Sequence, residues 1–203
     1  MKPRNLFVAI AMVAAVLAGA YLANRLQPPA TAVSATVLPD PNPVPSFSLL
    51  DQHGNAVDER VFQGQWDLVF FGFTHCPDIC PMTLQVLAAA KQQLAEAGQD
   101  PLPRIVLVSV DPERDTPELL GKYVDYFGDG NLGLTGTLDG IQQLTDGLGI
   151  YFAKQPSDGD NYNVDHSAAV LVINPSGGFH AVFGGPHVIE NYVHDLPIIL
   201  AGS

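Results

Sequence analysis

The chain has 203 residues, enough for one folded domain with accessory segments, and 47% of them are hydrophobic, which argues against disorder. The formal net charge is −12, and all 21 acidic residues follow position 39. Such a surface is a poor match for nucleic acid or anionic lipid, because both repel it. It would suit a basic partner, although solvation alone explains it equally well. With only two cysteines, the chain is not a multi-disulfide scaffold.

The first 24 residues are typical of a membrane anchor or an export signal. Residues 1–5 carry Lys2 and Arg4 and are predicted to stay in the cytoplasm. Residues 6–24 contain no Asp, Glu, Lys or Arg, and their length is at the short end of the ~17–25 residues that span a bilayer. A cleaved signal peptide is the alternative, because Ala18-Gly19-Ala20 resembles a cleavage site. Either interpretation predicts a domain outside the cytoplasm, with a bacterial inner membrane facing the periplasm as the expected setting.

Residues 25–45 are predicted to be a linker, and residues 46–203 the folded domain. The linker is rich in proline and has no regular apolar period. Proline-rich chain runs extended at about 3.1 Å per residue. A tether of this kind would let the domain reach another membrane protein.

The domain alternates buried strands with amphipathic helices. Apolar runs predict a hairpin near residues 47–55 and strands at 67–73, 104–110, 168–173 and 179–183. Helical spacing predicts helices at 81–97, from Thr116 onward, at 138–148 and at 188–196, the last one limited by Pro197. This order predicts the fold class α/β, with a mixed central sheet flanked by helices, as in the thioredoxin-like fold.

Cys76 and Cys80 come directly after a predicted strand and at a predicted helix start. Free N–H groups and the helix dipole favour thiolates there, so lowered pKa values are expected. The C-x3-C spacing puts the side chains one helical turn apart, close enough to form a disulfide or to bind one soft metal ion. A structural disulfide is the simpler alternative for an exported protein.

His166 precedes the strand at 168–173, which in a thioredoxin-like sheet neighbours the strand that leads to the cysteines. The imidazole could therefore reach the two sulfurs, although a lone histidine is more often a surface or core residue. Two thiolates and an imidazole suit copper. Structural zinc would need a fourth ligand, for which Asp78, His75 or Asp165 would have to serve. Asp78 and Asp165 are otherwise predicted to support the ligands from outside the coordination shell, Asp165 by orienting the ring.

Four stretches of the chain, FFGFTHCPDICPMTL, VSVDPERDTPELL, GLTG and VDHSAAVLVINPSG, resemble the Sco/SenC family of copper proteins. The resemblance runs in order from about Phe47 to Gly178. It implies a thioredoxin-like fold, a membrane anchor, and one copper ion bound by Cys76, Cys80 and His166. It further implies assembly of the dinuclear CuA site in the copper-bearing subunit of cytochrome c oxidase, with an unidentified copper donor.

A thiol–disulfide oxidoreductase that acts on cysteines of a target protein is the alternative function. It needs only the redox-active pair Cys76 and Cys80, whose thiolate would attack the target disulfide. Two features weaken it as the sole function. The spacing is C-x3-C rather than C-x2-C, and His166-Ser167 stands where thioredoxins carry threonine and cis-proline. The sequence therefore favours a metallochaperone over an enzyme.

Overall fold

The computed structural model describes residues 12–13, 15–19, 31–157 and 162–202. Residues 12–13 and 15–19 are helical. The rest of the predicted anchor, the N-terminal tail and the first part of the predicted linker lie outside the described residues. Within the described part of the chain, no helix combines the length and apolar character needed to cross a bilayer.

The strands of the described chain are β1 (Ala35–Pro43), β2 (Leu49–Asp51), β3 (Ala56–Val57), β4 (Asp67–Gly72), β5 (Arg104–Ser109), β6 (Leu132–Thr135), β7 (Phe152–Lys154), β8 (Val164–His166), β9 (Val170–Ile173) and β10 (Gly178–Phe183). Eight of them form one mixed sheet in the order β1-β10-β9-β4-β5-β6-β2-β3, and β7 and β8 form a separate hairpin. Strands β4, β5 and β6 are parallel, whereas β9 runs antiparallel to β4, and β10 antiparallel to β9.

Four α-helices accompany these strands: α1 (Ile79–Glu96), α2 (Pro117–Asp125), α3 (Leu138–Leu148) and α4 (Ile189–Ala201). The side chains of Thr116 and Thr137 accept N–H bonds at the starts of α2 and α3, which fixes where these helices begin. The predicted hairpin is present as β2 and β3. The order β4-α1-β5-α2, followed by β9-β10-α4, confirms the predicted thioredoxin-like α/β fold with a mixed sheet.

Strand β4 lies at the centre of the sheet and positions the cysteines. All six of its residues are buried, since β5 and β9 flank it and the faces of the sheet are covered. The polar residue at its start, Asp67, accepts a 2.7 Å hydrogen bond from Arg104 on β5. The strand ends at Gly72, so the turn that follows starts from a rigid base.

Part of the predicted linker is a strand. Residues Ala35–Pro43 form β1, which pairs antiparallel with β10 at the edge of the sheet. Prolines are tolerated in an edge strand, where their missing N–H groups can face solvent, so proline content did not exclude pairing. The carboxylate of Asp195 on α4 also accepts bonds from the N–H groups of Val33, Ser34 and Ala35.

The prediction that Pro197 ends the last helix is wrong. Helix α4 continues through Pro197 to Ala201. Proline removes one backbone hydrogen bond from a helix interior. Beyond it, Ile199 and Leu200 are buried in the core. Burial of these side chains outweighs the lost bond.

Candidate metal centre

The two cysteines lie on the turn between β4 and α1. Helix α1 begins at Ile79 rather than at the predicted Pro81, so Cys80 is in its first turn. Cys80 is buried and Cys76, in the preceding turn, is half-buried. The Cys80 N–H donates to Cys76 Sγ at 3.4 Å, as expected for an acceptor at a helix N-terminus. Both thiols are free.

His166 reaches this turn from the end of β8. The chain then enters β9, and because β9 pairs with β4, its entry loop lies at the edge of the sheet where β4 ends. His166 Nε2 is 3.4 Å from Cys80 Sγ. One ligand atom from each of Cys76, Cys80 and His166 lies within 4.8 Å of the other two. The predicted neighbourhood of these three side chains is therefore present.

The pKa values of the two cysteines are shifted in opposite directions. A hydrogen bond from Cys80, together with the N–H groups of Cys80 and Asp78, lowers the pKa of Cys76 to about 5. The Cys76 thiolate and burial raise the pKa of Cys80 above its ordinary value. The expected lowering therefore holds for Cys76 and not for Cys80. The hydrogen bond between the two sulfurs thus favours the thiolate on Cys76 and keeps the proton on Cys80.

The ring of His166 is oriented by its neighbours. Its Nδ1 atom is 3.1 Å from the carbonyl oxygen of Ser167, an acceptor that suits the tautomer with a proton on Nδ1. That tautomer leaves the Nε2 lone pair facing the sulfurs. Phe70 and Phe73 contact the ring edge-on, with centroids 5.7 Å and 6.0 Å away. The imidazole is thus held between aromatic side chains with its ligand atom directed at Cys80.

The two carboxylates predicted to support the ligands, Asp78 and Asp165, line the cleft beside the site. Asp165 accepts a hydrogen bond from Gln155 on the same hairpin. Asp78 precedes α1, and its side chain makes no capping bond there. His75 Nδ1 is 3.0 Å from Thr74 Oγ1. None of these three side chains joins the cluster of Cys76, Cys80 and His166 in the part of the chain that the structure describes.

A buried carboxylate beneath the cysteine turn was not predicted to belong to the site. Asp115 accepts hydrogen bonds from the Thr74 N–H at 3.0 Å, from the Thr74 hydroxyl at 2.5 Å and from the Ser109 hydroxyl at 2.6 Å. These bonds tie the residues before Cys76 to the end of β5. The stretch from Ser109 to Glu118 lies in one of the segments that resemble the Sco/SenC family, but only the fold shows that Asp115 supports the cysteine turn.

The arrangement suits a soft cation with few ligands. A cleft of about 290 Å³ opens beside the site and is lined by Cys76, Asp78, Asp165 and His166, among others. Among the described residues, no fourth side chain completes the tetrahedral set that structural zinc requires. Two sulfurs and one imidazole, open on one side, fit copper in either oxidation state.

The fold and the site together define a thioredoxin-like domain with a solvent-accessible dithiol–imidazole centre. The family model described as SCO1/SenC matches residues 36–201, and the chain belongs to this family.

Two curated relatives differ in how much of their length is covered. Human "Protein SCO2 homolog, mitochondrial" is 44% identical over 140 residues, covering 68% of this chain and 52% of the relative. The chain therefore spans about half the length of that protein. The Stutzerimonas stutzeri protein named "Putative copper-binding protein" is 34% identical over 164 residues, covering 81% of this chain and 80% of the relative.

Two similar solved structures contain copper. The structure of Arabidopsis thaliana ScoI with copper bound has a TM-score of 0.73 and 34% identity, and the match covers 79% of this chain and 99% of that one. The structure of yeast Sco1 with copper bound has a TM-score of 0.69 and 32% identity, covering 75% and 85% of the two chains.

Proposed function

We propose that this protein is a copper metallochaperone that binds one copper ion and assists assembly of the CuA site of cytochrome c oxidase. The observation that carries the proposal is the convergence of Cys76, Cys80 and His166 within 4.8 Å of one another. Membership of the SCO1/SenC family and the copper bound in similar structures support the choice of metal.

The site also suits transfer of the ion. We propose Cys76, Cys80 and His166 as the ligands, with the sulfurs selecting Cu(I) and the imidazole adding affinity for Cu(II). Cys76 and His166 are partly exposed, and the adjoining cleft gives an incoming cysteine or histidine of the recipient access to the ion. A partner could then replace the ligands one at a time.

The proposal for the protein's location in the cell rests on the sequence of its N-terminal segment. We propose that residues 6–24 anchor the protein in a bacterial inner membrane, with the domain facing the periplasm. The uncharged segment and the preceding Lys2 and Arg4 support this orientation. The part of the linker before β1 would then set the reach toward the oxidase subunit.

Transfer to an isolated acceptor tests the proposal. The domain loaded with Cu(I) or Cu(II) is mixed with the metal-free, reduced CuA domain of cytochrome c oxidase, and the optical spectrum of the CuA centre is recorded. We expect the loaded parent to build the centre and the Cys76→Ser/Cys80→Ser double variant to build none. Equal yield from the parent and the double variant would contradict the proposal.

A second function is favoured by the lowered pKa of Cys76, since a thiolate at neutral pH attacks disulfides. The metal-free protein would reduce a disulfide of the acceptor before copper arrives, and Cys76 and Cys80 would be oxidised to a disulfide in exchange. The same assay separates the two activities when the acceptor starts as a disulfide. If the copper-free domain reduced the acceptor and copper loading changed nothing, thiol–disulfide exchange would be the main function.

A further inference from the structure

A cluster of charged and aromatic side chains lies beside the hairpin that carries His166. Arg114, on the loop between β5 and α2, donates from Nε to Asp111 Oδ2 at 2.5 Å. Its guanidinium lies over the ring of Tyr162, with Cζ 3.7 Å from the ring centroid. The Tyr162 hydroxyl donates to Asp111 Oδ1 at 2.5 Å. Each of these three side chains thus contacts the other two, and we term them the Arg114 clamp.

The clamp is well shielded from water. The side chains of Arg114 and Asp111 are 15% and 2% exposed, and Tyr162 is 9% exposed. A cation stacked on an aromatic ring and a charge-assisted hydrogen bond both gain strength when water is excluded. Burial and the bond to Asp111 also raise the pKa of Tyr162, so its hydroxyl remains a donor.

The clamp is connected to His166 by two routes. Tyr162 lies two positions before β8, and His166 ends β8. Arg114 is also 5.7 Å from the ring centroid of Phe73, and Phe73 contacts the His166 ring edge-on. The cysteine turn and the histidine hairpin therefore meet at the same guanidinium.

A second contact fixes the other strand of the hairpin. Lys154 on β7 forms a 2.5 Å ion pair with Glu113 and lies 3.8 Å from the Tyr162 ring centroid. Lys154 pairs with Val164 in the β7–β8 ladder, and Phe152 pairs with His166. The hairpin therefore contacts the loop at residues 111–114 through Lys154 on β7 and through Tyr162 just before β8, and among the described residues its two strands form a sheet separate from the eight-stranded one.

We propose that the Arg114 clamp is a positioning device that keeps the His166 ring directed at the cysteine sulfurs. The inference rests on the proposed copper site. Without the clamp, the hairpin would separate from the loop and the imidazole would spend less time within reach of the metal. Arg114 does not touch copper in this account; it acts through Tyr162 and Phe73.

The test compares Arg114→Ala and Tyr162→Phe with the parent. Removal of a group that orients a ligand lowers metal affinity about 10- to 100-fold. We expect about tenfold weaker Cu(II) binding in Arg114→Ala and a smaller loss in Tyr162→Phe. Cu(I) affinity should change less than about threefold, because the two thiolates dominate binding of that ion. Arg60→Ala is the matched control, since Arg60 is exposed and forms an ion pair with Asp58, two positions away.

Hydrogen exchange of the metal-free protein supplies a readout that does not depend on copper. Amides of residues 152–154 and 164–166 should exchange several-fold faster in both clamp variants, while β4 and β5 keep the parent's protection. If Arg114→Ala fails to fold, Tyr162→Phe decides the question by the same two measurements. Unchanged hairpin exchange with unchanged Cu(II) affinity would overturn the inference, as would equal losses for Cu(I) and Cu(II). A parent that binds no copper would refute the proposed function and leave the exchange test of the clamp standing.

Discussion

Cys76 and Cys80 are one helical turn apart and differ in protonation. Because hydrogen bonds lower the pKa of Cys76 to about 5, its thiolate is present at every pH above that value. We predict that iodoacetamide modifies the metal-free, reduced domain at Cys76 alone, with a rate that rises through pH 5 and is level by pH 7. Buried Cys80 should stay unmodified. Mass spectrometry of the digested protein after timed reaction at each pH measures this.

The control for this prediction is Cys80→Ala. The Cys80 hydrogen bond is the largest cause of the lowered pKa of Cys76, so its removal should move the rate profile of Cys76 to higher pH. The account would be wrong if both cysteines of the parent reacted together near their ordinary pKa, or if Cys80→Ala left the profile unchanged.

Gly72 is required at the end of β4 by the close approach of Cys80. A Cβ atom at this position would lie 2.9 Å from Cys80 Sγ and 2.9 Å from the Phe70 ring. We predict that Gly72→Ala costs about 1–3 kcal/mol of unfolding free energy, the usual cost of overpacking, and weakens copper binding by displacing the sulfur. Urea denaturation and a copper competition titration measure the two effects.

Gly184→Ala is the matched control, because a Cβ there meets nothing within 4 Å. It should change neither quantity by more than about 0.5 kcal/mol. A Gly72→Ala protein with the stability and copper affinity of Gly184→Ala would show that the contact with Cys80 is easily relieved.

At the scale of whole elements, local patterns predicted the central structure. The continuous apolar runs of β4, β5 and β9 were recognisable because both faces of these strands are buried. The bounds of α3 were predicted correctly from helical spacing, and in the structure Thr137 and Gly149 cap its two ends. Strand β1 was missed because its prolines resemble a linker, and α4 was predicted too short because burial beyond Pro197 leaves no local signal.

Asp195 connects α4 to the start of β1, the two elements that were predicted wrongly. Burial raises its pKa, but hydrogen bonds from His194 and from the N–H groups of residues 33–35 outweigh burial and lower it. We predict that Asp195→Asn destabilises the domain by about 1.5–3 kcal/mol, the range for hydrogen bonds to a charged group. The same contribution in the parent should be lost as the pH falls into the acid range, because protonation removes the charge.

Urea denaturation at pH 7 and at lower pH measures this effect, with exposed Asp129→Asn as control. The difference between Asp195→Asn and the parent should shrink as the pH falls. A parent and variant of equal stability at pH 7 would contradict the assigned role of Asp195 in holding the start of β1.

At the scale of the whole molecule, the site depends on contacts between segments that are distant in the chain. The cysteine pair was predictable because its spacing and its strand-to-helix position are local. His166 needed the order of strands, which the alternating pattern supplied. The supports at Asp115 and Arg114 could not be predicted, because Asp115 bonds to Thr74 across 41 positions of sequence and Arg114 stacks on Tyr162 across 48. Only the folded chain brings such pairs together.

Copper should stabilise the whole domain, since it would connect α1 to the histidine hairpin. Binding to the folded state alone adds about 2.7 kcal/mol at a free ligand concentration 100 times Kd. For a domain of this size that corresponds to a rise in Tm of roughly 5–10 °C. Differential scanning calorimetry with buffered Cu(I) measures the shift. The Cys76→Ser/Cys80→Ser variant should show none, and an equal shift there would indicate binding elsewhere.

The central claim is that two sulfurs and one imidazole hold one copper ion. Titration of the reduced domain with Cu(II), followed by optical spectroscopy and metal analysis, tests it most directly. We predict one copper per domain with a thiolate-to-Cu(II) charge-transfer band, which His166→Ala abolishes while Cu(I) binding persists in weakened form. A His166→Ala protein with the parent's band and Cu(II) affinity would contradict the three-ligand site.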